Sequence, residues 1–416
     1  MKGKRILTAG ISALMSISML AGCSSSTPAS SSSAKPGTDE VITLTVWSPQ
    51  EDQADDQGNW LNKELEAFKA AHPEWKLEFK LGTCGEGDAG SMVTQDSEAA
   101  ADVFMYANDQ IPTLLNAGAL AELGGSTLEA INANNDKGIV DFLTYDGGVY
   151  GVPFTTNTWF MYYDKRVFTE EDVKSLDTML EKGVVAFPLN NGWYNASFFL
   201  ANGCKMFGDD GTDGSAGVQF GGDAGLAVTN YLIDLAANKN FVNDENGVGV
   251  GGLGEGKVNA FFSGSWDYNN VVNAIGEENV GVAVPPTIKI NGEEKQLLSF
   301  SGVKAVGVNA HSKHMEQAVA LAAFLGGTQA QQDHFDLRAI VPTDKNVKVQ
   351  GNSLIDVQNA TVVGASFAQP FVPEMNNYWT PAADFGKNIV DGAVTHDNAK
   401  DTIEATVKLW NSSAVE

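Results

Sequence analysis

The chain has 416 residues, 43% of them hydrophobic, and a formal net charge of −26. That length exceeds one ordinary core, so two domains are expected. The negative balance would repel a nucleic-acid backbone or an anionic lipid face, which excludes a function built on a basic surface.

At the N-terminus Lys2, Lys4 and Arg5 precede an apolar run from Ile6 to Met19, followed by Leu20-Ala21-Gly22-Cys23. The apolar region is too short for a membrane span and reads as a secretory signal, residues 1–22. Leu-Ala-Gly-Cys resembles the bacterial lipobox. The resemblance implies cleavage before Cys23, lipid attachment to its thiol, and a protein held at the extracellular face of the cell membrane by two acyl chains. Residues 23–40 are Ser-rich with Pro28 and Pro36, a composition suited to a tether. Cys84 and Cys204 fall in separate expected lobes and are read as free thiols.

Val41–Ser48 alternates as a strand and Asn59–Ala71 is helical, ended by His72-Pro73. Lys76–Leu81 is a strand, Ala89–Ala101 a helix, Asp102–Tyr106 a buried strand and Gln110–Ala117 a helix stopped by Gly118. The stretch Gly147–Asp164 (GGVYGVPFTTNTWFMYYD) carries six aromatics around the polar break Thr155-Thr156-Asn157. It reads as an extended segment leaving one domain for another, with Asn157 beside the cleft between them. Beyond it, Val184–Phe187 is a strand, Trp193–Ala201 and Gly225–Asn238 are helices, and Val280–Val284 and Lys304–Val308 are strands. Met315–Leu325 and two more tail helices complete the chain. Strands alternating with helices specify an α/β fold: two lobes, each a mainly parallel sheet flanked by helices, with ligands expected at strand carboxyl ends.

Most chemistry-bearing motifs fail on context. Gly249-Val250-Gly251-Gly252-Leu253-Gly254 spells a dinucleotide fingerprint, but follows polar, turn-like residues instead of a strand. It is read as a glycine-rich loop. Asp209–Gly214 hints at a calcium loop, yet Gly211 and Phe220 occupy ligand positions, which leaves a tight turn. The five histidines have no zinc spacing, and no nucleophile motif is present. No cofactor, metal or catalytic residue is expected.

An aromatic pattern remains. Trp47 and Tyr106 end strands, Trp193-Tyr194 opens a helix, Trp266 and Tyr268 follow Ser263-Gly264-Ser265, and Trp379 follows Tyr378. Each sits beside small or polar residues. Flat rings stack on the apolar face of a pyranose while carboxylates and amides take its hydroxyls. The scarcity of basic residues nearby, with Arg338 the one plausible site arginine, fits a neutral sugar better than a charged metabolite.

The runs ADVFMYANDQIPTLLNAGALAEL (101–123), YGVPFTTNTWFMYYDKRVF (150–168), EGKVNAFFSGSWDYNNV (255–271) and FSGVKAVGVNAHSKHMEQAVALAAFL (300–325) resemble, in order, the extracellular solute-binding proteins of carbohydrate ABC transporters, maltose- and maltodextrin-binding proteins in particular. The resemblance implies a periplasmic-binding-protein-like fold with a three-segment hinge near 154–157, 300–303 and 346–352. One lobe would hold residues 41–155 and 302–348, the other 156–301 and 349–416. It implies sugar-stacking rings at Tyr106, Tyr194, Trp266 and Trp379, and polar contacts at Glu51, Asp52, Glu86, Asp109 and Asn157. Where the maltose-binding pattern has an acidic-basic pair this chain has Glu51-Asp52; where it has Asp-Arg this chain has Asp109-Gln110; where it has Glu this chain has Asn157.

The expected function is therefore a lipid-anchored, monomeric, non-enzymatic receptor that captures an oligosaccharide, foremost an α-glucan such as maltodextrin, and hands it to ABC permease subunits. A fructo- or xylo-oligosaccharide ligand, and a secreted glycosidase using two of Glu51, Asp52, Asp109 and Asp267, are the alternatives.

Overall fold

The computed structural model describes residues 40–349 and 351–412. The signal segment, Cys23 and the tether up to residue 39 lie outside the described residues, as does Gln350 in the third expected crossing.

Two sheets organise the fold. The first runs Ser366–Ala368, Ser299–Val308, Val103–Ala107, Val41–Ser48, Lys76–Thr83, with Val152–Thr158 also paired to Ser299–Val308. Val41–Ser48 is parallel to Lys76–Thr83 and to Val103–Ala107. Ser299–Val308 is antiparallel to Val103–Ala107 and to Val152–Thr158. The second sheet runs Phe241–Asn243, Val185–Phe187, Ala260–Ser263, Phe160–Asp164, Val280–Ala283, with Phe160–Asp164 antiparallel to both neighbours. Parallel ladders are thus interrupted where the chain passes between sheets.

That passage lies later than the sequence indicates. The strand Val152–Thr158 runs straight through Thr155-Thr156-Asn157, and the change of sheet comes at fully buried Trp159. The polar residues do not break the strand because neighbours satisfy them. Thr155 Oγ1 donates to the Val341 carbonyl at 2.6 Å, and the Thr158 and Ser299 hydroxyls are 2.8 Å apart.

Local chemistry explains the helices. Trp60–Ala71 buries Trp60, Leu61, Leu65 and Phe68 on one face, and Met315–Leu325 buries Leu321 and Leu325. Three expectations are corrected. The helix at Ala89 ends at Val93, where polar side chains compete for the backbone: Asp96 accepts from the Ala99 amide. The glycine-rich run is helical over Val248–Gly254. The Asp244 carboxylate accepts from the Gly249 amide, and a side chain at Gly249 would come within 2.8 Å of the Phe261 ring. After Met315–Leu325 come four helices instead of two: Thr328–Arg338, Ser353–Gly364, Trp379–Val390 and Ala399–Trp410. The first of these escapes pattern reading because it buries Gln331, His334 and Arg338 in place of an apolar stripe.

Each sheet has its own core. Trp60, Phe68, Phe104, Tyr106 and Leu321 belong to the first. Phe187, Phe198, Phe220, Tyr378 and Trp410 belong to the second, whose other face packs Tyr162, Phe261 and Val271. Cys84 and Cys204 are buried and unbridged. No helix among the described residues is long and apolar enough to cross a membrane.

Two stability predictions follow from this packing. A Cβ at Gly386 would lie 1.8 Å from the Leu189 carbonyl oxygen. Gly386→Ala is expected to lower stability by roughly 1–3 kcal/mol, read as a lower urea midpoint at unchanged m-value. Buried Glu64 faces Asp333, and its carboxyl is pushed up to about 7 by burial and then by the Asp333 carboxylate. The folded state therefore binds this proton more tightly than the unfolded chain does, and stability falls as pH rises from about 4.5 to about 7. Glu64→Gln should flatten the thermal midpoint across that window; a slope identical to the parent chain would refute the assignment.

Candidate functional site

At the carboxyl end of Val41–Ser48 the chain turns through Pro49 and Glu51 into buried Asp52. The Asp52 Oδ1 accepts from His334 Nε2 at 2.9 Å and Arg338 Nε at 3.2 Å. Burial by itself raises this carboxyl, but His334 and Arg338 outweigh it and hold the group below the usual carboxylate range. The His334 ring is stacked on Trp60 at 3.9 Å, and Trp60 Nε1 donates to the Ala330 carbonyl, so two helices set the cluster in place.

This cluster walls a cavity of about 230 Å³. Its lining includes Glu51, Asp52, Glu86, Phe154, Thr155 and Trp266, with Lys304 and Arg338. The Lys304 ammonium lies 3.3 Å from the Glu86 carboxylate and 4.6 Å from the centre of the Trp266 ring. Trp266 packs over Gly264, where a Cβ would come within 2.0 Å of the ring. Only glycine lets the indole lie that close to the backbone.

An aromatic row extends from the cavity. Trp193 is 6.2 Å from Trp266 and stands nearly perpendicular to Tyr194 at 5.1 Å; Tyr194 stacks on Trp159 at 5.4 Å. Trp193 Nε1 donates to Gln369 Oε1 at 2.8 Å. Gln369 also hydrogen-bonds Asp109, whose carboxyl burial pushes up to about 6 against the opposing bonds from Gln110 and Gln369. Glu51, Asp52, Glu86 and Trp266 thus share the cavity, while Trp193, Tyr194 and Asp109 lie along the row leading from it.

Other residues singled out in the sequence lie elsewhere. Tyr106 must be corrected: it is fully buried, with its hydroxyl donating to the Tyr150 carbonyl, because its strand is central and covered on both faces. No sugar could stack on it. Asn157 is 8% exposed within its strand, opposite Gly302, and does not line the cavity. Trp47 packs across Gly82 and against the first core. Tyr268 packs beside Val271, and Trp379 against Phe300 and Tyr378; none of these three lines the cavity. Lys304, His334 and Gln369 were missed. Lys304 had a signal, being the lone charge in an otherwise apolar or small run, SFSGVKAVGV. His334 and Gln369 had none.

The family model for bacterial extracellular solute-binding proteins matches residues 64–360. The galactooligosaccharide-binding protein of Bacillus subtilis (strain 168) is 26% identical over 94% of this chain and 93% of its own length. The maltodextrin-binding protein MdxE of the same organism is 24% identical over 92% and 90%. A solved structure with acarbose is 49% identical, covering 89% of this chain and 99% of that one, with a TM-score of 0.87. The ligand-free maltodextrin-binding protein MalE1 of L. casei BL23 is 25% identical over 90% and 100%, with a TM-score of 0.75. With the family model spanning well over half of the chain, and an α/β fold that these neighbours share, the protein belongs to the bacterial extracellular solute-binding proteins.

Proposed function

We propose that the chain captures an oligosaccharide, foremost a maltodextrin, and releases it unchanged to the permease subunits of an ABC importer. The observation that carries this is the Trp266 ring lining a cavity with Glu51, Glu86 and Lys304, with the Trp193 ring 6.2 Å from it. Indole rings supply stacking faces, and the charged groups supply strong hydrogen bonds to hydroxyls. The cavity is smaller than the ~300–1,000 Å³ usual for drug-sized ligands, so a longer sugar would extend along the aromatic row. The relatives described as maltodextrin- and galactooligosaccharide-binding, and the 49%-identical structure with acarbose, support a saccharide ligand.

The inferred capture is a closure of two lobes, each built around one of the two sheets, with the chain leaving the first at Trp159. Supporting it, the strands Val152–Thr158 and Ser299–Val308 lie side by side, and Thr155 bridges to Pro342, which brings three chain passages together. The lipobox-like Leu20–Cys23 supports lipid anchoring through Cys23 outside the cell.

Titration calorimetry with maltotriose, a galactooligosaccharide and a xylo-oligosaccharide tests the ligand class; absence of heat with all three would overturn it. Sugar recovered after incubation should be unshortened on chromatography, whereas new products would favour a glycosidase. Trp193→Ala and Trp266→Ala should each weaken binding by roughly 1–3 kcal/mol, about 5- to 150-fold. Tyr106→Phe should leave affinity within about twofold, since that ring is in the core.

A further inference from the structure

A hydrogen-bonded relay crosses the seam between the two sheets just behind the cavity. Arg338, held by Asp52, donates from Nη1 to Gln57 Oε1 at 3.1 Å. Gln57 Nε2 donates to Asn270 Oδ1 at 3.1 Å, and Asn270 Nδ2 donates to Asp267 Oδ1 at 3.1 Å. The other Asp267 oxygen accepts from Ser263 Oγ at 2.5 Å, at the end of the strand Ala260–Ser263. Beside it, Asn269 Nδ2 donates to the Leu337 carbonyl at 3.0 Å.

The direction of every bond is dictated by its ends. A guanidinium only donates and a carboxylate only accepts, so each amide between them has one possible orientation. Gln57 belongs to the turn Asp55–Gln57 after the first strand, and Asn270 to the helix Tyr268–Ile275 after a second-sheet strand. Asp267 directly follows Trp266. The relay therefore couples the charged wall holding Asp52 to the indole on the opposite wall.

We propose, on the footing that the cavity is the sugar site, that Gln57 and Asn270 are positioning residues forming a closure latch. They touch no sugar; they hold Trp266 against the Asp52 wall and so set how long a bound sugar is retained. Breaking a latch lets the ligand leave sooner without changing how it arrives.

The test is a double-mutant cycle on the intact chain with maltotriose, read by stopped-flow and by thermal midpoint without sugar. Gln57→Ala and Asn270→Ala should each speed dissociation about three- to tenfold, the worth of one hydrogen bond, with association within about twofold. The double variant should be no worse than either single, because each breaks the same relay. Asn270→Leu should behave as Asn270→Ala, since an aliphatic side chain can neither accept from Gln57 nor donate to Asp267. Additive effects, unchanged dissociation, or an Asn270→Leu variant equal to the parent would overturn the latch. If no sugar binds the parent chain while the midpoints still show non-additive coupling of Gln57 with Asn270, the latch stands and the sugar assignment falls.

Discussion

The strand Ser299–Val308 imposes the constraint from which the site follows. Nine of its ten residues are buried, and it pairs with strands on both sides. The one exception is Lys304. An ammonium at that depth is costly unless paired, since desolvation outweighs solvent-screened attraction. It can be kept only by a carboxylate and a ring face, and Glu86 and Trp266 supply them. Residues from three distant parts of the chain are thereby drawn to one wall.

The same accounting governs the facing wall. Asp52 is only 2% exposed, within the range of the core leucines, and His334 and Arg338 compensate it. Two neutralised clusters bordering one cavity leave Glu51 as the exposed carboxylate on its rim. Such a lining suits an uncharged ligand rich in hydroxyls, which can join existing hydrogen-bond networks without adding a charge that needs its own partner. It also suits reversible capture, because these groups are already satisfied by one another. Reversibility is what distinguishes a carrier from an enzyme, whose binding energy must be directed at a transition state.

Much of the architecture was readable in advance. Alternation in Val41–Ser48 and the apolar face of Met315–Leu325 are local signals, and burial follows them directly. The errors have physical causes. Tyr106 read as a strand-end ring for sugar because a ring flanked by Met105 and Ala107 carries no mark of whether its strand is central or at an edge. Polar residues usually break strands, so the sequence points to a passage between sheets at Thr155–Asn157; neighbouring chain satisfies these residues instead, and the strand continues to Thr158. The helix Thr328–Arg338 leaves no apolar stripe in the sequence because its buried face is largely polar.

What the linear chain determined alone was therefore what near neighbours govern: most strands and helices, the aromatic and acidic residue types, and the family whose pattern they follow. Only folding decided which of those residues meet. Asp52 and Arg338 are separated by 286 positions, Gln57 and Asn270 by 213, and Trp193 and Gln369 by 176. Pairings at such separations are set by how whole sheets dock, a property no local window of sequence contains.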